Sequence, residues 1–117
     1  MAKQRYINTK FWSDDYIIQK DIIERYLFLY FLTNEHTSIS GIYELGVGAI
    51  ARETGIEREA IEKMMPRFIG KIYYIDGWVY IKNFSKNQSG SDSIKKGIEK
   101  ERKKIPPEIM EKIAKIK

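Results

Sequence analysis

Between residues 47 and 83 the apolar side chains change their spacing, and that change limits the folds open to this chain. Val47-Gly-Ala-Ile-Ala-Arg-Glu-Thr-Gly55 reads as a short helix with Ile50 and Ala51 facing inward. Gly55 supplies the reversal, because glycine tolerates the left-handed backbone of a tight corner. Ile56 fills that corner. From 57 to 69 the apolar residues Ile61, Met64, Met65 and Phe68 follow at spacings of three and four, which sets them on one helical stripe. Pro66 removes a backbone hydrogen bond, so this helix either kinks or stops early with 67–70 as a separate turn. The period then falls to two. Residues 71–75 and 78–82 are β-branched and aromatic runs joined by Asp76-Gly77, a pair that favours a type I′ turn because both central residues need positive φ. Two helices, a tight turn and a hairpin in this order predict an α+β fold, mainly α. The expected architecture is a winged helix-turn-helix with a small antiparallel sheet and a C-terminal helical basic tail.

Upstream, residues 6–9 are expected to lead in as extended chain, with Phe11 and Trp12 packed over the first helix. Ser13 is a candidate N-cap for a helical turn ending near Ile18. Asp21 with Glu24 three residues on has the form of a capping box and opens the longest helix, 21–34, which Asn34 ends. Its body is apolar on nearly every side, and such a helix is usually enclosed by neighbours. Residues 39–43 are expected as a third strand beside the hairpin, Gly41 marking a bulge or a close backbone approach. Lys86-Asn-Gln-Ser-Gly-Ser91 is a linker by composition. The division is therefore a winged-helix domain at 1–85 and a basic linker with helical tail at 86–117. Asp92 or Ser93 caps a helix through Lys104, Pro106-Pro107 stops it, and 108–116 forms a last amphipathic helix.

Charge is informative once it is located. The net +5 sits wholly in residues 86–117, where ten Lys and Arg face five Asp and Glu; residues 1–85 carry eleven of each sign. Cysteine is absent, which rules out a disulfide framework and thiolate metal sites and suits a reducing cytosol. No signal peptide or bilayer-length apolar run is evident, so no membrane partner is expected. Enzymatic signals are weak. The one histidine, His36, lies in a polar loop without metal-ligand spacing and reads as an exposed loop residue. Asp14-Asp15 and the Glu57, Glu59, Glu62 group read as solvated charge, and Gly46-Val-Gly48 lacks the context of a phosphate loop. No catalytic residue, cofactor, metal or small-molecule substrate is expected.

Nucleic-acid binding has the better case. On the second helix of the unit Arg58 can reach a base edge, and Lys63 and Arg67 can meet phosphates. Lys71 and Lys82 stand at the base of the hairpin. Against this, Glu57, Glu59 and Glu62 repel a phosphate backbone, and Asp76 makes an acidic hairpin tip, a poor minor-groove probe. Tyr73, Tyr74, Trp78 and Tyr80 can be read as a base-stacking surface, but alternation gives Ile72, Tyr74, Val79 and Ile81 an equal claim to core packing. In the tail, Lys95, Lys96, Lys100, Arg102, Lys103 and Lys104 either form a basic arm along phosphates or a solvated helix with internal ion pairs such as Glu99 to Lys103.

Six stretches together are distinctive: Arg5-Tyr-Ile-Asn-Thr-Lys-Phe-Trp12, Leu27-Phe-Leu-Tyr-Phe-Leu-Thr-Asn34, Ile39-Ser-Gly-Ile-Tyr-Glu44, Ile50-Ala-Arg-Glu-Thr-Gly55, Tyr74-Ile-Asp-Gly-Trp78 and Lys95-Lys-Gly-Ile-Glu99. As a set, over roughly 5–108, they resemble the N-terminal winged-helix domain of phage and prophage replication proteins from Gram-positive hosts, the replisome-organiser or DnaD-like initiators. The resemblance implies binding at a phage replication origin, self-association through the winged-helix domain and help in loading a host replicative helicase. In family members a linker and a second helical domain often follow, with no counterpart in these 117 residues. The expected function is non-enzymatic DNA binding in replication initiation. The rivals are an oligomerisation or docking module of a replisome with little direct DNA contact, and a phage transcriptional regulator.

Overall fold

A computed structural model describes residues 4–84 and 92–116. The expected linker at 86–91 lies outside the described residues. Residues 4–8 are irregular and are tied to the body by Arg5, whose guanidinium donates to the Thr37 hydroxyl at 2.9 Å and its carbonyl at 2.8 Å. A 3-10 turn at Thr9–Ser13 precedes α1, Asp15–Ile18. The cap of α1 is Asp14, not Ser13: the Asp14 carboxylate accepts from Tyr16 N, while Ser13 Oγ turns back to Lys10 O. A carboxylate caps with a full negative charge, and the hydroxyl one residue earlier is better placed to close the preceding turn.

Helix α2, Ile22–Thr33, begins with the expected capping box. Glu24 N donates to Asp21 Oδ1 at 2.8 Å and Asp21 N to Glu24 Oε1 at 3.0 Å. Asn34 ends it. The helix is not enclosed as its composition suggests. Glu24, Leu27, Phe28 and Phe31 face the core, whereas Ile22 is 82% and Ile23 53% exposed. A uniformly apolar helix hides its inward face from sequence reading, because no polar stripe marks the outside.

Strand β1, Ile42–Glu44, starts three residues later than expected, because the chain at 38–41 turns first. Ser38 O accepts from Gly41 N, and Gly41 has φ +82. A Cβ there would meet Phe84 Cβ at 2.7 Å and Ile81 O at 3.0 Å, which is the close approach anticipated for this glycine. Next come α3, Val47–Thr54, and α4, Arg58–Met64, separated by Gly55 at φ 79. The expected helix to residue 69 is cut at Met64 by Pro66, which sits in a 3-10 turn, Met65–Phe68. Strands β2, Ile72–Ile75, and β3, Trp78–Ile81, form the hairpin, and Asp76 and Gly77 both take positive φ at its tip.

The three strands form one antiparallel sheet in the order β1-β3-β2, with Tyr43 opposite Val79 and Val79 opposite Tyr74. This α+β arrangement is compatible with a winged helix. Its inner face carries Tyr43, Ile72, Val79 and Ile81 against Leu27, Phe31, Ile50, Ile61 and Phe68. Phe68 is fully buried, edge-on to Phe28 at 5.6 Å and Phe31 at 6.5 Å, and truncating it to alanine would cost about 3–5 kcal/mol. Phe11 packs on Phe28 as expected, but Trp12 beside it is 61% exposed.

The outer face is covered by the tail. Helices α5, Asp92–Arg102, and α6, Pro107–Ala114, follow in the described chain, and Pro107 begins α6 rather than only stopping α5. Ile105, Ile109 and Ile113 bury against Ile42, with Ile75, Trp78, Tyr80 and Met110 around them. At the end of α5 the Glu101 carboxylate accepts from Ser40 N at 3.1 Å. No helix among the described residues is long and apolar enough to cross a membrane.

Candidate nucleic-acid interface

The cations singled out from the sequence fall into three groups in space, and their partners differ. On α4, Arg58, Glu59, Glu62 and Lys63 all point to solvent, because Ile61 and Met64 take the inward stripe. Arg58 Nε lies 3.8 Å from Glu62 Oε1, a solvent-screened i,i+4 pair. Lys63 is exposed on the last turn.

Arg67 sits beyond α4 in the 3-10 turn and is committed elsewhere. Its Nη1 donates to Glu24 Oε2 at 2.8 Å, while its carbonyl accepts from Lys20 Nζ at 2.8 Å and from Tyr16 OH. The Glu24 side chain is 5% exposed. Burial works against its charged form, but the Arg67 guanidinium and the Asp21 N–H outweigh this and hold the carboxyl below its usual range. Arg67 therefore fastens the end of the α4 segment to the start of α2. Of the expected DNA contacts it is the one whose guanidinium is already bonded to a buried carboxylate.

Helix α5 is different. Lys95, Lys96, Lys100 and Arg102, then Lys103 and Lys104 in the turn after it, are all exposed. Ile98, Gly97 and Glu101 take the half-buried side, which leaves the basic residues on one broad outward arc. The ion pairs among the described residues include none of these six cations. The Glu99 to Lys103 pair, one of the two readings of this segment, is not among them, although Glu99 is itself exposed between the cations.

The third group lies at the base of the hairpin. Lys71 and Lys82 are joined by the last rung of the β2–β3 ladder, Lys82 N donating to Lys71 O at 2.9 Å. Five residues of extended chain, roughly 16 Å, separate this end from the Asp76 tip. Lys71 Nζ lies 5.6 Å from the Tyr16 ring centre, and Lys20 Nζ lies 4.7 Å from the same ring.

Two contacts had no local signal in the sequence. Lys112 of α6 pairs with the Asp76 carboxylate, so the acidic hairpin tip is offset by the tail. His36, expected as an exposed loop residue, is half-buried and lies 2.7 Å from Glu53 Oε2, with Tyr30 OH donating to Glu53 Oε1 at 2.9 Å. The His36 contact, first, and the Tyr30 hydroxyl hold the Glu53 carboxyl below its usual range. These bonds join α2, the following loop and α3. Partners that are 36 or 17 residues apart cannot be inferred from spacing alone.

On the sheet, Tyr73 and Tyr80 stack across β2 and β3 at 5.9 Å, but Trp78 and Tyr80 also pack against the cluster of Ile42, Ile105, Ile109 and Ile113. Tyr74 is inward, its hydroxyl donating to Leu45 O at 2.6 Å. The aromatic surface available to a base is thus narrower than the sequence implies.

The scan against protein-family models and the searches of curated proteins and of solved structures return no match to this chain.

Proposed function

We propose that this chain is a non-enzymatic, winged helix-turn-helix DNA-binding protein of phage or prophage replication initiation. The observation that carries the binding part is the α5 segment: four exposed cations on the helix and two in the turn after it, with no carboxylate partner in the ion pairs among the described residues. Such a surface gains affinity from released counterions and grips any phosphate backbone. Supporting it is the chain order α2, β1, α3, α4, β2, β3 with sheet order β1-β3-β2, which is what a winged helix requires. In that reading α4 is the recognition helix, with Arg58 reaching a base edge and Lys63 a phosphate. Glu59 and Glu62, with Glu57 at the N-cap, keep the helix contribution small, so sequence discrimination is modest and the α5 segment supplies most of the affinity. The link to replication rests on the resemblance set out from the sequence.

Fluorescence anisotropy with a labelled random duplex at low salt tests this. The full chain should bind, and replacing Lys95, Lys96, Lys100, Arg102, Lys103 and Lys104 by Gln should reduce affinity by about a hundredfold or more. Charge removal is the right perturbation. A truncation at Ser85 would also strip Ile105, Ile109 and Ile113 from the sheet.

A second reading, an assembly module, is favoured by the outer side of α2. Ile22, Ile23 and Tyr26, with Ile18 just before them, are 47–82% exposed, more apolar surface on one helix than a solvated face needs. Sedimentation of the full chain beside Ile22→Ser/Ile23→Ser distinguishes it. A dimer lost in the variant supports assembly through this face; a monomer in both contradicts it.

A further inference from the structure

The basic group at the hairpin base has a setting that the α4 and α5 surfaces lack. A cavity of about 440 Å³ opens between the N-terminal segment and the ends of β2 and β3, within the size range of small-ligand sites. Lys10, Lys71 and Lys82 line it from three separate parts of the chain, together with Asn8, Asn83 and Tyr16. None of the three lysines belongs to an ion pair among the described residues. Asp14, the one acidic residue in the lining, is engaged as the cap of α1, accepting from Tyr16 N at 2.9 Å.

Lys71 and Lys82 also face each other directly across the ladder, with Cα atoms about 5.5 Å apart in a pair of this type. Like charges in that position disfavour the fold. Lys10, Lys71 and Lys82 are all exposed, so water screens their repulsion, and a compact multivalent anion would complement the three charges.

We infer that this cavity binds a terminal phosphate group, carried either by a free nucleotide or by the end of a nucleic-acid strand. A phosphate monoester carries close to two negative charges and three acceptor oxygens, and lysine ammoniums meet it as point charges. The Asn8 and Asn83 amides can donate to oxygens that the lysines leave. Tyr16 offers an aromatic surface beside the lysines. The site is independent of the α4 and α5 surfaces, from which it differs in being concave.

The test is titration of the uniformly labelled full chain, followed by amide NMR shifts, with three probes: tripolyphosphate, a nucleoside triphosphate, and a 5′-phosphorylated oligothymidylate beside its 5′-hydroxyl counterpart. Saturable shifts at Gly70, Lys71, Lys82 and Asn83 are expected. Lys71→Met/Lys82→Met should weaken binding about tenfold or more, while Lys71→Arg/Lys82→Arg retains it. Tighter binding of the nucleotide than of tripolyphosphate assigns the site to free nucleotides. A preference for the 5′-phosphorylated strand assigns it to strand ends. Absence of saturable shifts with every probe, or unchanged affinity in the methionine variant, overturns the inference and leaves the α5 reading untouched.

Discussion

Helices α4 and α5 look alike as charge lists and behave differently as surfaces. Each mixes lysine and arginine with glutamate. Around α4, Arg58 is near Glu62, and Arg67 is drawn down to the buried Glu24. Around α5, Glu101 turns inward to the backbone at Ser40, and the six cations are left facing water. The Glu101 carboxylate keeps its charge but is turned away from the outward cations. What counts for binding a polyanion is therefore which charges remain unspent after folding, not how many a segment contains.

The same comparison assigns different kinds of residue to stability and to binding, and three substitutions probe the assignment. The largest effect is expected at Ile109→Ala, which empties the α6 contact with Ile42. Urea denaturation should show a loss of about 2–4 kcal/mol. A loss near zero would mean that the tail is only an arm, and the contrast with α4 would then be one of attachment rather than of charge.

Glu24→Ala comes next, at about 2 kcal/mol, because it removes one half of a capping box and the buried anchor of Arg67. It should also release Arg67 and so raise duplex affinity slightly, moving stability and binding in opposite directions. The pH dependence follows from the depressed carboxyl. Glu24 contributes fully above its ordinary value of 4.5, and its contribution is lost as pH falls through the lower folded value. The stability gap between wild type and Glu24→Gln should be constant near neutrality and close in acid, as thermal scans at several pH values can show.

The smallest effect belongs to Arg58→Ala/Lys63→Ala. Both side chains are exposed and glutamates surround them, so duplex affinity should fall only about three- to fivefold, with unfolding unchanged within about 0.5 kcal/mol. A hundredfold loss in anisotropy would reverse the ranking of the two helices.

Much of this was legible in the sequence where the signal is local. The Asp21 and Glu24 capping box, the Gly55 corner and the Asp76-Gly77 reversal are short-range rules, and all three have the geometry their residues demand. Pro66 was legible as a conflict and resolves as a shortened α4. What escaped depends on contacts distant in sequence. The outward Ile22 and Ile23 could not be told from inward Leu27 and Phe31 on a helix without a polar side. Trp12 could not be separated from Phe11 next to it. The pairing of Arg67 with Glu24 and of Lys112 with Asp76 spans dozens of residues, so the candidate surface read from the sequence contained one cation, Arg67, that the fold had already paired, and an acidic tip whose offset by Lys112 was not visible.

The most direct test is the salt dependence of duplex binding, measured for the full chain and for the variant with Gln at Lys95, Lys96, Lys100, Arg102, Lys103 and Lys104. Each phosphate contact contributes roughly 0.9 to the slope of log K against log salt. The account predicts a steep slope for the full chain, reduced by about three or more in the variant. Equal slopes would show that α5 does not carry the contact, and no binding by the full chain at low salt would contradict the DNA-binding reading and favour assembly through α2.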